Sequence, residues 1–100
     1  MYVAMNRFKI ILGRENDFEK IWHGRDIHLD KVPGFIEFHL LKSKNNAKHA
    51  LYTSQSTWIS EDDFSNWTKS DSFRQAHKGA DRHSDIYLGH PKFEGFEVIM

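Results

Sequence analysis

The amino-acid sequence predicts a small α+β domain with the element order β-α-β-β-α-β. Apolar and polar residues alternate from the start of the chain, which is typical of a strand, and the apolar spacing becomes helical after Gly13. Two further alternating segments flank a polar loop, and a second helical region precedes a last short strand. With 100 residues, the chain has the length of one domain, which we expect to span residues 1–100.

The first strand is predicted over residues 2–11. One of its faces carries Tyr2, Ala4, Asn6, Phe8 and Ile10. The first helix is predicted to begin near Asn16, because large side chains recur there at helical spacing. These side chains are Phe18, Ile21, Trp22, Arg25 and Leu29. The Val-Pro-Gly segment at 32–34 is predicted to close this helix.

The middle of the chain predicts a hairpin, with strands at residues 35–42 and 50–58 and a polar loop at 43–48. Both strands are apolar on two sides. In the first of them, Phe35 and Leu41 are expected to face away from Ile36, Phe38 and Leu40.

The second helical region is predicted to contain two short helices. Ser60 is a predicted N-cap with Asp63 three residues later, and Phe64 and Trp67 share the inner side of the helix that follows. After a break, Ser70 is predicted to cap a second helix that ends at Gly79. A last strand is predicted over residues 93–99.

This order is that of a ferredoxin-like fold, an antiparallel four-stranded sheet with the helices on one face. The other face of the sheet is then uncovered. Because the strands of the hairpin are apolar on both sides, we expect that face to pack against a second copy of the chain. The predicted assembly is a homodimer in the form of an α+β barrel.

Composition excludes several classes of function. The 14 Lys and Arg residues are balanced by 14 Asp and Glu residues, which argues against a nucleic-acid partner. The absence of Cys removes disulfides, thiolate nucleophiles and Cys-type zinc sites. The chain has no apolar run of membrane-spanning length and no secretion signal, so we expect a cytoplasmic protein with no membrane partner.

Asn6 is unusual because Asn is depleted in strands and here lies at the centre of one, on the apolar face. Two interpretations are open. The amide could bond to a neighbouring loop, or it could point into a pocket and donate to a ligand oxygen.

His77 and Trp67 are also open to two interpretations. His77 is predicted on the inner face of its helix beside Phe73, where an apolar setting favours the neutral imidazole that a metal ligand requires. It could equally be a core histidine bonded to a carbonyl. Trp67 could be core, or it could face the same pocket, since the break near Ser70 frees it from a continuous helix.

Four segments resemble a known family: MNRFKI at 5–10, VPGFIEFHLL at 32–41, TWISEDDFSNWTKSDSFRQAHKG at 57–79 and LGHPKFEGFEV at 88–98. They are similar to the antibiotic biosynthesis monooxygenase (ABM) superfamily, and within it to the iron-regulated haem-degrading monooxygenases. In that family an Asn on the first strand and a Trp and a His in the second helical region form the functional set. They match Asn6, Trp67 and His77 in order and context.

The resemblance implies an enzyme for which haem is both cofactor and substrate. His77 would be the axial ligand of the haem iron, Asn6 would donate a hydrogen bond on the opposite side, and Trp67 would press on the porphyrin and distort it. Dioxygen and an external electron donor, a reductase or a small reductant, would complete the reaction, which releases iron and a linear tetrapyrrole. The lining is expected from Phe8, Trp22, Phe64 and Phe73.

The haem propionates would need cations, for which the candidates are Arg25, Lys78, Arg82 and His83. Two alternatives stay open. One is a cofactor-independent ABM oxygenase of an aromatic substrate, which would not need His77. The other is a non-catalytic module that binds haem.

Overall fold

The computed structural model describes residues 1–24, 29–44, 46–76 and 85–100. Within these residues the chain forms four strands and three helices. In chain order they are β1 (Tyr2–Ile10), α1 (Glu15–His23), β2 (Phe35–Lys42), β3 (Ala50–Trp58), α2 (Glu61–Thr68), α3 (Asp71–Ala76) and β4 (Lys92–Glu97). Among these helices, none is long and apolar enough to cross a membrane.

The strands form one antiparallel sheet in the order β2-β3-β1-β4. This order and the connections between the strands are those of the ferredoxin-like fold, so the predicted fold class is confirmed. β1 lies inside the sheet, between β3 and β4, and its central residue Asn6 therefore has strands on both sides.

The first helix is shorter than predicted. α1 ends at His23, and the N–H of Gly24 donates to the carbonyl of Lys20 at 3.0 Å. Leu29 is not helical, although it is only 3% exposed. Its spacing from Phe18 therefore reflected burial in the core rather than a shared helix. Arg25 lies outside the described residues.

The second helical region has the two predicted N-caps. The hydroxyl of Ser60 accepts a hydrogen bond from the N–H of Asp63 at 3.2 Å, and that of Ser70 accepts from the N–H of Phe73 at 3.2 Å. These caps divide the region into α2 and α3, as expected. α3 is described as far as Ala76, so its predicted end at Gly79 lies outside the described residues.

The predicted faces of β2 were wrong at its first residue. The pairing with β3 shifts between Phe35 and Glu37, which is a β-bulge at Ile36. One extra residue reverses the alternation of faces. Phe35 therefore shares the helix-covered face with Phe38 and Leu40, which pack against the core, while Leu41 lies on the other face.

β4 begins one residue and ends two residues before the predicted strand, at Lys92 and Glu97. The backbone continues beside β1 for one more hydrogen bond, in which the N–H of Val98 donates to the carbonyl of Met1 at 2.8 Å.

Among the described residues, the buried core between sheet and helices consists of two clusters at opposite ends of β1. We call them the Phe18 cluster and the Trp58 cluster. The Phe18 cluster contains Phe8, Ile10, Phe18, Ala50, Tyr52 and Ile86. The Trp58 cluster contains Tyr2, Ala4, Leu29, Trp58 and Trp67, with Phe64 and Phe73 packed against it. Asn6 lies between the two.

Candidate active site

The centre of the helix-covered face is a row of four side chains, one from each strand, which we call the Asn6 row. It consists of Leu40, Ser54, Asn6 and Phe93. Asn6 and Ser54 are partly exposed, whereas Ala4 and Phe8, the neighbours of Asn6 on the same face of β1, are buried. The described helices therefore leave the middle of the sheet partly exposed, and this part of the sheet is the candidate site.

The Asn6 amide is available to a ligand. Within the part of the chain that the structure describes, its side chain makes no hydrogen bond to protein. The interpretation that it ties down a neighbouring loop thus has no support among those residues. A partly exposed amide can donate two hydrogen bonds and accept two, so Asn6 can contribute a fixed donor at the floor of the site.

α2 and α3 bring three aromatic side chains to one side of the Asn6 row. Phe64 and Trp67 are three residues apart on α2 and their ring centroids are 6.1 Å apart. Because the helix breaks at Ser70, the Phe73 ring contacts the Trp67 ring edge-on, with centroids 4.8 Å apart and 83° between the ring planes. Trp67 also packs against Trp58, with ring centroids 5.4 Å apart, and it is 9% exposed.

The other predicted lining residues, Phe8 and Trp22, lie on the opposite side of the row. Trp22 contacts Phe8 edge-on at 5.8 Å and stacks on Phe38 at 5.8 Å and 19°. Phe38 also packs against the Trp58 cluster. The five predicted aromatic residues therefore do not form one wall. They border the Asn6 row on two sides, with Phe38 between them.

Phe93 is a site residue that the sequence analysis missed. It lies opposite Asn6 on β4, its ring stacks on Phe64 at 5.5 Å and 7°, and it is 50% exposed. In the sequence it is one of several apolar residues of the last strand. Only the register between β1 and β4 puts it beside Asn6, and no local pattern specifies that register.

Tyr2 forms the floor of the site near β4. Its ring contacts Phe64 at 5.7 Å and lies over Gly95, where a Cβ would overlap the Tyr2 hydroxyl. Burial raises the pKa of Tyr2, and the nearby Glu61 and Glu97 raise it further. The phenol is therefore neutral around pH 7, and the described floor of the site carries amide, hydroxyl and aromatic groups.

His77, the predicted axial ligand, lies outside the described residues and is the next residue in the sequence after the end of α3. The propionate candidates Arg25, Lys78, Arg82 and His83 also lie outside them. The structure thus describes the surroundings of Asn6 and Trp67, and the roles of these two residues stay predictions, as do those of the five residues outside the described part of the chain.

The fold and the site together define a ferredoxin-like α+β domain whose aromatic cleft is centred on one amide. Residues 1–79 match the family model described as antibiotic biosynthesis monooxygenase. The chain belongs to this family, as the resemblance predicted.

Two curated relatives are similar over most of their length. The haem oxygenase (staphylobilin-producing) of Staphylococcus saprophyticus is 34% identical over 80 residues, which cover 79% of this chain and 75% of the relative. The haem-degrading monooxygenase of Bacillus thuringiensis is 33% identical over 81 residues, 77% of this chain and 71% of the relative.

Among solved structures, the haem degrader MhuD of Mycobacterium tuberculosis, with two haems bound in its active site, superimposes with a TM-score of 0.77. It is 25% identical, and the match covers 100% of this chain and 97% of that chain. The ferredoxin-like architecture is therefore shared along the whole length of both proteins.

Proposed function

We propose that this protein is a haem-degrading monooxygenase, which opens the porphyrin ring with dioxygen and external electrons and releases iron and a linear tetrapyrrole. The observation that carries the proposal is the Asn6 amide, which is partly exposed at the centre of the sheet between two aromatic clusters. Two relatives at 33% and 34% identity are named for haem degradation, which supports the same substrate here.

The described residues fit haem. A porphyrin is a flat, apolar macrocycle, and pockets for such ligands are lined by aromatic side chains with a few placed polar groups. Phe64, Phe73 and Phe93 offer aromatic surface beside the Asn6 row. Asn6 is the polar group at its floor. Tyr2 at the edge of the site is a neutral phenol, because burial raises its pKa.

We assign His77 as the axial ligand of the haem iron, because a neutral imidazole is a common haem ligand and the chain has no Cys. Bound haem supplies the iron at which dioxygen is reduced. Asn6 would donate its amide N–H where negative charge develops during the reaction, and a donor at that position stabilises the transition state more than the ground state.

Trp67 is assigned to press on the macrocycle. Distortion of the porphyrin is one of the ways in which a protein changes haem reactivity. A side chain can deform a ligand only if packing fixes its own position. The Trp67 ring packs against Trp58 and Phe73. The apolar surroundings that exclude water from the reaction would come from Trp22, Phe64 and Phe73. Phe8 is 7% exposed, so its part in the lining would be to pack against Trp22, which it contacts at 5.8 Å.

The homodimer remains part of the proposal. The uncovered face of the sheet carries the exposed side chains of Leu41 and Phe96, at 43% each, next to Thr53 and Val3 in register. Packing two such faces together would bury both side chains. Gel filtration that shows only a monomer at micromolar concentration would refute the proposed homodimer. The electron donor is proposed to be a reductase or a small reductant.

The experiment that tests the function is a titration of the purified protein with haemin, followed by ascorbate in air. We expect a saturable Soret band that bleaches on reduction while a bilin absorbance appears. His77→Ala is expected to abolish or strongly shift the Soret band. His39→Ala is the matched control, because His39 is exposed on the other face of the sheet and beside Glu37 at 3.5 Å.

Each other outcome points to an alternative. A saturable Soret band that survives reductant in air would favour a non-catalytic haem-binding module. No saturable band would contradict haem binding and favour a cofactor-independent oxygenase of an aromatic substrate. A band that His77→Ala leaves unchanged would overturn the assignment of the axial ligand.

A further inference from the structure

Phe93 packs against the helical layer with only part of its ring. Its ring is 50% exposed, although it lies on the helix-covered face of the sheet. One side of the ring stacks on Phe64, with 7° between the planes. An exposed aromatic residue is not unusual by itself. Here it lies in register beside Asn6, the partly exposed amide at the centre of the candidate site.

Phe96 shows what the same residue type does elsewhere on β4. It is exposed to a similar extent, 43%, but it lies on the other face of the sheet, opposite Val3. Phe93 and Phe96 therefore share strand, residue type and exposure, and differ in whether they face Asn6. Any effect of Phe93 that Phe96 lacks must arise on the helix-covered side.

A stacked pair with one ring partly uncovered is a suitable surface for a planar ligand. Aromatic rings prefer offset-stacked or edge-on partners, and such contacts contribute beyond the area they bury. Phe64 also contacts Trp67 at 6.1 Å. The line Phe93–Phe64–Trp67 thus forms an aromatic wall that runs from the edge of the sheet to the residue assigned to distort the porphyrin.

We propose that Phe93 is a porphyrin-contacting residue, which forms the β4 side of the site and determines its preference for a flat macrocycle. This inference rests on the proposed function. The contact is made to the organic ring and not to the metal, so it acts equally on haemin and on iron-free protoporphyrin IX. The His77 contact requires iron, so the two contributions are separable.

The test measures the Kd of haemin and of protoporphyrin IX by quenching of tryptophan fluorescence. Phe93→Ala is expected to weaken both ligands about tenfold, which is the loss of one good aromatic contact. Phe93→Leu keeps apolar bulk and is expected to weaken both to a smaller extent. Phe96→Ala is the matched control. Because Phe96 lies on the proposed dimer face, gel filtration first shows that this variant has the oligomeric state of the unaltered protein, and it is then expected to bind both ligands as that protein does.

Thermal unfolding of each apoprotein shows whether a weaker Kd reflects a folded variant. If Phe93→Ala fails to fold, Phe93→Leu decides by the same criterion. Equal Kd values for the Phe93 and Phe96 variants would overturn the role of Phe93 while leaving haem binding intact. A change in dimerisation at Phe93 without a change in either Kd would also overturn it.

Loss of affinity for haemin alone would contradict a contact to the organic ring. If the unaltered protein binds neither ligand saturably, both the inference and the proposed function fail. The unaltered protein could bind protoporphyrin IX while His77→Ala leaves the haemin Kd unchanged. The assignment of His77 as the iron ligand then fails, and the protoporphyrin IX Kd of the Phe93 variants still tests the Phe93 contact.

Discussion

The two core clusters are built from similar side chains but differ in how they are closed. Both have a fully buried centre, Phe18 or Trp58. Phe18 contacts Phe8 at 5.6 Å and Tyr52 at 4.6 Å. We call the Phe18 cluster sealed because its described border, which includes Trp22, is only partly exposed. The Trp58 cluster extends to a half-exposed ring. Its upper layer, Phe64 and Phe73, is partly exposed and continues to Phe93. A sealed cluster stabilises the fold, whereas an open one can also bind a ligand.

The largest expected effect is the loss of Phe18 from the sealed cluster. Phe18→Ala removes a fully buried ring and should lower the free energy of unfolding by about 3–5 kcal/mol, measured by urea denaturation of the apoprotein. Leu12→Ala is the comparison, since the loss of a side chain that is 41% exposed in the turn after β1 should cost less than about 1 kcal/mol. Similar losses for the two variants would contradict the contrast between sealed and open surfaces.

Asn6 lies between the two clusters, and Asn6→Ala should lower haem turnover without lowering the stability of the fold. We expect haem turnover to fall about 100-fold, as when one preorganised donor is removed from an active site. The haemin Kd and the unfolding midpoint should change little. Asn66→Ala, the same change at an exposed position on α2, should keep full turnover. Turnover by Asn6→Ala at the unaltered rate would refute its role as donor.

The smallest effect is expected at the polar edge of the Phe18 cluster. The hydroxyl of Tyr52 donates to the carboxylate of Glu19 at 2.6 Å, and this bond is the main cause of the lowered pKa of Glu19, with Lys42 contributing. Burial raises the pKa of Tyr52, and Glu19 raises it further. Tyr52→Phe should therefore cost about 1 kcal/mol at pH 7, a modest value because the carboxylate is partly solvated.

The pH dependence of this cost follows from the two shifts. The lowered pKa of Glu19 stabilises the fold above the ordinary carboxyl pKa of 4.5, and this contribution is lost as pH falls through the folded-state value. The raised pKa of Tyr52 stabilises the fold below about pH 10 and is lost above it. Urea denaturation should show a smaller difference between the two proteins at pH 3 than at pH 7. An equal difference at both would disprove the ionic origin.

Local patterns predicted β2, β3 and the two N-caps accurately, because alternation, helical spacing and capping depend on neighbours within a few residues. The errors arose where a distant contact decided the outcome. Leu29 continues the helical spacing of α1, yet Gly24 ends the helix and Leu29 is buried in the other cluster. The bulge at Ile36 reversed the face of Phe35, since pairing with β3 and contact with Trp58 outweigh strict alternation.

The candidate site shows the same division. Asn6 and Trp67 were predicted from single oddities of the sequence, an amide within a strand and a Trp beside a helix break, and the resemblance to a family joined them. Their separation from Phe8 and Trp22 by the open Asn6 row could not be predicted, because it depends on which parts of the sheet the helices cover.

The sequence by itself determined the order of elements, the helix starts and the residue types available for chemistry, all of which follow from local backbone and side-chain preferences. The tertiary structure alone decided that the core divides in two, that Asn6 remains open between its halves, and that Phe93 lies beside it. These features depend on strand register and on helix placement, in which residues far apart in the chain compete for the same surface.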